Sequence, residues 1–379
     1  MEIAFLITAG VLVYTFLGYP AVLWALSLLA GKRVAKGDMR PKVSLIISAY
    51  NEQSIIAEKI ENCLAIDYPK EKLEIIVASE STDRTNEIVQ RYAPQGIVLH
   101  AYRGRAGKAA TLFRTVPKAT GEIIVFSDAN AMYEPDAIRK LVHNFNDERI
   151  GCVSGQLKYF NPDQSNSGTG ELAYWKYEMA IKKLESRFFS LLGANGSIFA
   201  IRKELYFPIA EDRGDDFELP IRIRLNGRGV VLEPEAVSWE RSSATADEEF
   251  KRKVRIIAWN IKSCLLLLKE SLLKKRLFLA FQLVSHKLLR WLFPLFAMAM
   301  LVINFFLPGT FFRALLYAQV VFYAGAIVGF AFDAKGGKVP RLLVIPYYFC
   351  LMHCAASAGL CSLIFNGRNQ KTVWEKVRS

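Results

Sequence analysis

Apolar and polar residues divide this chain into three kinds of pattern. Residues 3–30, 291–312 and 342–367 carry no charged side chain, and each run exceeds the roughly 20 residues that cross a bilayer core. With a further apolar block at 311–332, they predict an N-terminal transmembrane helix over 1–30 and a C-terminal transmembrane region over 276–366. A cleaved leader would be shorter and basic at its start, whereas only Glu2 precedes the first run. Between these regions, short apolar runs at 43–48, 73–79, 97–102 and 123–127 alternate with helically spaced segments at 52–65, 83–92, 107–116 and 135–146. Near-continuously apolar strands separated by helices predict an α/β domain, a doubly wound and mostly parallel sheet covered on both faces.

Beyond residue 150 the pattern is mixed. Polar residues 161–170 read as a loop before a helix over 171–192, whose aromatic content suits a core or a membrane-surface face equally. Phe250, Val254, Ile257, Ile261, Leu265 and Leu268 then recur at spacings of 4, 3, 4, 4 and 3, with Lys251, Arg252, Arg255 and Lys262 on other faces. That is an amphipathic helix with a basic side, suited to the membrane interface over 246–275. A globular domain over 41–245 and a basic tail over 367–379 complete the division.

Charge adds orientation. The net charge of +13 suggests nucleic acid only until its distribution is considered. Lys32, Arg33, Lys36, Arg40 and Lys42 follow the first span, and Lys274, Lys275 and Arg276 precede the second apolar block. Such flanks mark the cytoplasmic side and attract anionic lipid. The expectation is an integral protein of a bacterial inner membrane, with residues 41–275 in the cytoplasm and no nucleic-acid partner. One span before this segment and three after it put the C terminus outside, whereas the basic tail favours the cytoplasm. Either one block is re-entrant or interfacial, or the charge bias misleads. The block around Ser285–Arg290, with three basic-type side chains, is the suspect. The six cysteines contain no C-x-x-C pair and the four histidines are scattered, so reduced packing thiols and no zinc site are expected.

The candidate chemistry lies at the carboxyl ends of the four predicted strands, where ligands bind in such sheets. The first ends in Ala49-Tyr50-Asn51-Glu52 and the second in Ser79-Glu80-Ser81-Thr82-Asp83, both also readable as helix caps. Arg103-Gly104-Arg105-Ala106-Gly107-Lys108 opens a helix with backbone amides and cations suited to a diphosphate, though it is not a Walker A loop. The fourth delivers Asp128-Ala129-Asn130, two oxygen-bearing side chains able to hold a hard cation against phosphate. Each turn alone is weak; four at consecutive strand ends are far less a matter of chance.

With Gly193-Ala194-Asn195-Gly196, Asp215-Asp216 and the Arg-rich start of the interfacial helix, these motifs make residues 43–260 resemble the membrane-integrated family-2 glycosyltransferases. That group contains the hyaluronan, cellulose and poly-N-acetylglucosamine synthases. The resemblance implies a GT-A fold, a nucleotide-diphosphate sugar donor (usually a UDP-sugar) and Mg2+ or Mn2+. It implies that Ala49, Tyr50, Glu52 and Glu80 serve the nucleoside, that Lys108, Arg252 and Arg255 serve the diphosphate, and that Asp128 and Asn130 serve the metal–diphosphate complex. Asp216 would be the general base beside Asp215, with Gly193, Asn195, Gly196 and Trp259 on the acceptor side.

Three departures bear on these expectations. Glu80 stands where the family has Asp-Gly. Asn130 replaces a second aspartate, which predicts weaker metal binding. The processive Gln-x-x-Arg-Trp element reads Arg252, Arg255 and Ile256, with Trp259 one turn later. The expected activity is inverting transfer of a sugar to a saccharide or lipid-linked acceptor, for envelope polysaccharide, exopolysaccharide or glycolipid. The alternatives are a processive synthase that also secretes its polymer and, from another class, a transporter or scaffold with a degenerate domain.

Overall fold

The computed structural model of the chain describes residues 1–160, 166–241 and 245–365, so the tail over 367–379 lies outside the described residues. The four expected strands form as β1 (Val43–Ala49), β2 (Leu73–Ser79), β3 (Ile97–Ala101) and β4 (Ile123–Asp128). They pair in parallel in the order β3-β2-β1-β4, with Leu45 opposite Ile75 on one side and Val125 on the other. Every residue of β1 is buried because its alternate side chains enter two different cores. Val43, Leu45 and Ile47 meet Ile56, Ile60 and Leu141, whereas Ile46 meets Leu112, Val116 and Phe126. Continuous hydrophobicity is what two covered faces require.

The sheet continues beyond β4 with β5 (Met132–Tyr133), β6 (Ile150–Phe160), β7 (Phe199–Arg202) and β8 (Gly229–Arg241), giving the order β3-β2-β1-β4-β7-β6-β8-β5. β7 runs antiparallel to both β4 and β6, β6 and β8 are parallel, and β5 is antiparallel to β8. The sheet is therefore mixed and mostly parallel, and apart from the short β5 its mixed half is built from the region of unclear pattern beyond residue 150.

Among the described residues, four helices are long and apolar enough to cross a membrane: Glu2–Ala30, Leu277–Phe305, Thr310–Ala334 and Arg341–Ile364. The helix expected over 171–192 runs instead over Asn166–Ser186, so 166–170 are not loop. Gly170 looked like a loop residue, but a β-carbon there would collide with the Tyr348 ring of the last span. Its absence lets helix and span approach closely. The helix's apolar residues pack in two directions. Met179 enters the sheet's core beside Phe199, while Ile181 packs with Tyr19 and Leu23 of the first span.

The amphipathic helix runs over Ala246–Leu273 and is capped by Thr245, whose side chain accepts from the Glu248 amide. Its Ile261, Cys264 and Leu267 are buried against Phe217, Ile221 and Leu225 of the domain and Leu279, Leu283 and Trp291 of the second span. Leu265 remains exposed. The apolar stripe is thus shared between domain and spans.

The suspect block around Ser285–Arg290 has its charges answered. Arg290 donates to Glu178 Oε2 at 2.5 Å, Lys287 donates to Glu178 Oε1 at 3.1 Å, and His286 Nδ1 meets Glu185 Oε1 at 2.7 Å. Tyr19 of the first span donates to the same Glu185 oxygen at 2.6 Å, and Tyr14 and Ser285 hydroxyls meet at 2.8 Å. Both spans take π-helical turns in this region, Tyr14–Gly18 and Leu283–Leu288. The span Leu277–Phe305 has 29 residues, more than a bilayer core of about 30 Å needs at about 1.5 Å per residue. Its first turns are therefore free to dock on the domain.

Candidate active site

The turns at the strand ends are tied to one another by hydrogen bonds. Asn51 takes a left-handed backbone conformation with φ of 55°, donates its amide to Ser81 Oγ at 2.9 Å and accepts from the Thr82 amide at 2.8 Å. The Glu52 amide donates to Thr85 Oγ1 at 2.9 Å. These bonds hold the first two turns as one rim, with Arg105 lying over the Tyr50 ring at 5.0 Å.

Glu80 lies beneath the rim and is 1% exposed. Its Oε2 accepts from the Gly107 amide at 2.8 Å, one residue before the helix Lys108–Thr115 begins. That helix starts with Lys108, whose Nζ donates to Asp128 Oδ1 at 2.9 Å and lies 3.5 Å from Asp215 Oδ2. Burial works to lower the pKa of this ammonium, but Asp128 and Asp215 outweigh it and hold the pKa above the usual lysine range.

Asp215 and Asp216 open the helix Asp215–Leu225, where the amino-terminal dipole favours carboxylates. Asp216 is nevertheless raised to about 6, first by burial and then by Asp215, with Lys108 opposing. A β-carbon at Gly196 would sit 3.1 Å from Asp216 Oδ2, so glycine keeps the space beside that carboxylate open. The Ala194 amide donates to the Asp216 carbonyl at 2.7 Å. Asn195 is held through its amide by Ser154 Oγ at 3.0 Å, through its side-chain NH2 by the Gly155 carbonyl, and through Oδ1 by Lys182 Nζ at 2.7 Å.

One cavity of about 400 Å³ gathers most of the candidates. Glu52, Lys108, Asp128, Asn130, Asp215 and Asp216 line it, together with Gly193, Asn195, Gly196, Arg252, Arg255 and Trp259. Trp259 stands beside Ile256 on that wall, and Arg255 lies over its ring at 5.6 Å. Arg252 donates to Glu249 Oε2 at 2.6 Å. Ala49, Tyr50 and Glu80 are not part of the wall: Ala49 belongs to the core under β1, and Glu80 supports the loop above it.

The membrane-proximal wall was missed in the sequence. Tyr174, Trp175, Glu178 and Lys182 from the helix Asn166–Ser186, and Lys287 from the second span, face the same cavity. One signal was available, because Glu178, Lys182 and Glu185 fall at spacings of 4 and 3, which puts them on one face of the helix. Among the described residues, no three Asp, Glu, His or Cys side chains form a metal-holding cluster.

A family model described as Glycosyltransferase like family 2 matches residues 41–258. Beta-monoglucosyldiacylglycerol synthase of Nostoc sp. (strain PCC 7120 / SAG 25.82 / UTEX 2576) is 24% identical over 195 residues, 49% of this chain and 42% of that protein. Poly-beta-1,6-N-acetyl-D-glucosamine synthase of Staphylococcus aureus (strain COL) is 24% identical over 223 residues, 56% of this chain and 53% of that protein. The chain thus spans about half the length of the curated relatives it matches. A mannosyltransferase of Pyrobaculum calidifontis, solved in complex with GDP-Man and Mn2+, is 21% identical with a TM-score of 0.72, covering 96% of this chain and 99% of that one. The family match covers over half the chain, and the fold shared with that mannosyltransferase extends through the spans. The chain belongs to glycosyltransferase like family 2.

Proposed function

We propose that the protein catalyses inverting transfer of one sugar, or a few, from a nucleotide-diphosphate sugar to a saccharide or lipid-linked acceptor. UDP is the expected nucleotide, and the product class is envelope polysaccharide, exopolysaccharide or glycolipid. The observation that carries this reading is that the Lys108–Asp128 pair and the Asp215–Asp216 pair share one cavity, with Lys108 Nζ within 3.5 Å of both. One pair suits a departing diphosphate and the other an incoming hydroxyl.

In this reading Asp216 takes the acceptor hydroxyl's proton as its oxygen attacks the anomeric carbon. Its raised pKa near 6 keeps it ionised at neutral pH yet basic enough for the task. Lys108, Arg252 and Arg255 neutralise and orient the diphosphate. Asp128 and Asn130 fit a divalent cation, being hard oxygen donors on the cavity wall with Asp128 about one-third exposed; phosphate oxygens and water would complete the coordination. When bound, that cation supplies positive charge to the leaving diphosphate. The basic flanks at 32–42 and 274–276 support a cytoplasmic catalytic domain on a bacterial inner membrane.

A second reading, processive synthesis with secretion of the polymer, is favoured by one observation. Trp259 shares the cavity wall with Ile256, offering the aromatic face that the altered motif lacks.

The test is purified full-length protein in lipid nanodiscs with Mn2+ or Mg2+, assayed for free nucleoside diphosphate. UDP-glucose, UDP-N-acetylglucosamine and GDP-Man are offered, the last because the protein of matching fold holds it. Acceptor-dependent release from one donor supports the reading. Absence of release from all three overturns it.

A further inference from the structure

Lys182 has no part in the roles above, yet its ammonium lies at the floor of the same cavity. The residue is 4% exposed, and Nζ donates to Asn195 Oδ1 at 2.7 Å and to the Ala194 carbonyl at 3.4 Å. Burying an ammonium is costly unless carboxylates and hydrogen bonds answer it. Here burial pulls the lysine down to about 8 against the support of Glu178, Asp216 and Glu185, with Lys287 adding repulsion.

What the ammonium holds leads directly to Asp216. Ala194 accepts from Lys182 through its carbonyl and donates its amide to the Asp216 carbonyl at 2.7 Å. Asn195 is fixed on its other sides by Ser154 and Gly155, and Lys182 supplies the remaining bond. The charges acting on the Asp216 carboxylate come from every element around it. Asp215 on its own helix and Asp128 on β4 disfavour ionisation, while Lys108 and Lys182 favour it. Lys108 is already engaged by Asp128 at 2.9 Å.

We propose that Lys182 is a positioning residue for sugar transfer: it holds the Gly193–Gly196 loop against the backbone of Asp216 and helps keep that carboxylate ionised. The electrostatic half of this role rests on the assignment of Asp216 as the base; the loop-holding half does not.

Full-length protein in nanodiscs containing diacylglycerol separates the two halves. By hydrogen–deuterium exchange, Lys182→Met is expected to speed exchange of the Ala194 and Asn195 amides about tenfold, the loss of a charge-assisted hydrogen bond, and Lys182→Arg to recover most of it. With Mn2+ and whichever of UDP-glucose, UDP-N-acetylglucosamine and GDP-Man turns over, the acid limb of kcat/KM should move to higher pH in Lys182→Met and stay in place in Lys182→Arg. Unchanged exchange in Lys182→Met, or equal loosening in Lys182→Arg, overturns the proposal. A loosened loop with an unmoved acid limb overturns its electrostatic half. If Lys182→Met fails to fold, Asn195→Ala keeps the lysine and breaks the same bond, so normal exchange in that variant is equally fatal. Lack of turnover by the unaltered protein sinks the catalytic reading, while the exchange arm still decides the loop.

Discussion

Lys108 Nζ stands 2.9 Å from Asp128 Oδ1, joining the first residue of a helix to the last residue of β4. A cation at Asp128 must share that carboxylate with the lysine, and Asn130 adds no charge of its own. Asp128→Ala is expected to lower transfer by two to three decades, about 3–4 kcal/mol of lost charge stabilisation. Thermal unfolding should hardly change, since the side chain is 35% exposed. Full activity in this variant or in excess EDTA would remove Asp128 from the mechanism. Asn130→Asp should lower the Mn2+ concentration that gives half-maximal rate.

Asp216→Asn preserves shape but cannot take a proton, so transfer should fall at least 100-fold, within the usual range for a general base. Donor binding, measured by calorimetry, should be nearly unchanged. In the unaltered protein, activity should be lost as pH falls through about 6, where Asp216 becomes protonated. The stability sign is opposite to the usual aspartate: a carboxyl whose folded pKa is raised loses folding free energy as pH climbs from its unfolded value near 4 towards 6. Asp216→Asn should therefore unfold at a higher temperature than the parent at pH 7. If Asp215→Asn is the dead variant and Asp216→Asn is active, the roles are exchanged.

Product length addresses Trp259. Under excess donor, short additions are the expected outcome, because Ile256 gives no stacking face where processive enzymes place tryptophan. High-molecular-weight polymer that disappears in Trp259→Ala would show that the aromatic one turn along has taken over acceptor retention, and would favour the processive reading.

Glu178 answers Lys287, Arg290 and His286 at once. Burial alone would raise its pKa, but Lys287 and Arg290 outweigh that and hold it well below the usual glutamate range. Glu178→Gln leaves positive charge buried without its counter-charge, expected to cost about 3–5 kcal/mol. The readout is the unfolding midpoint of the detergent-solubilised chain. The Glu178→Gln/Lys287→Met pair should be less destabilised than the single variant; strict additivity would mean that the two do not interact.

The parallel half of the sheet was legible because each of its strands is a short apolar run between helical spacings, and its carboxyl-end turns carried their polar residues in plain view. The second half was not. β6 and β8 are long, mix polar with apolar side chains, and change register between Ile150 and Cys152 and again between Ser154 and Gln156, which blurs a period-two signal. Glu80 was expected at the nucleoside because it stands where the family has Asp-Gly; its bond to the Gly107 amide shows only in the fold. The spacing of Lys182 with Glu178 and Glu185 marked a polar face, but its bond to Asn195, on a loop beyond the helix end, shows only in the fold. His286, Lys287 and Arg290 looked misplaced in a span because their counter-charges, Glu178 and Glu185, sit over a hundred positions earlier.

The bonds from Tyr19, His286, Lys287 and Arg290 to the helix Asn166–Ser186 make that helix a spacer of set height. One of its faces is bolted to two spans, and another touches, through Lys182, the loop beside Asp216. The loop beside Asp216 is thereby tied, through this one helix, to both spans. On the proposed reading of Asp216 as the base, anchored acceptors competing for the site would be sorted by the length of stem between anchor and hydroxyl, a ruler applied before any contact reads their stereochemistry.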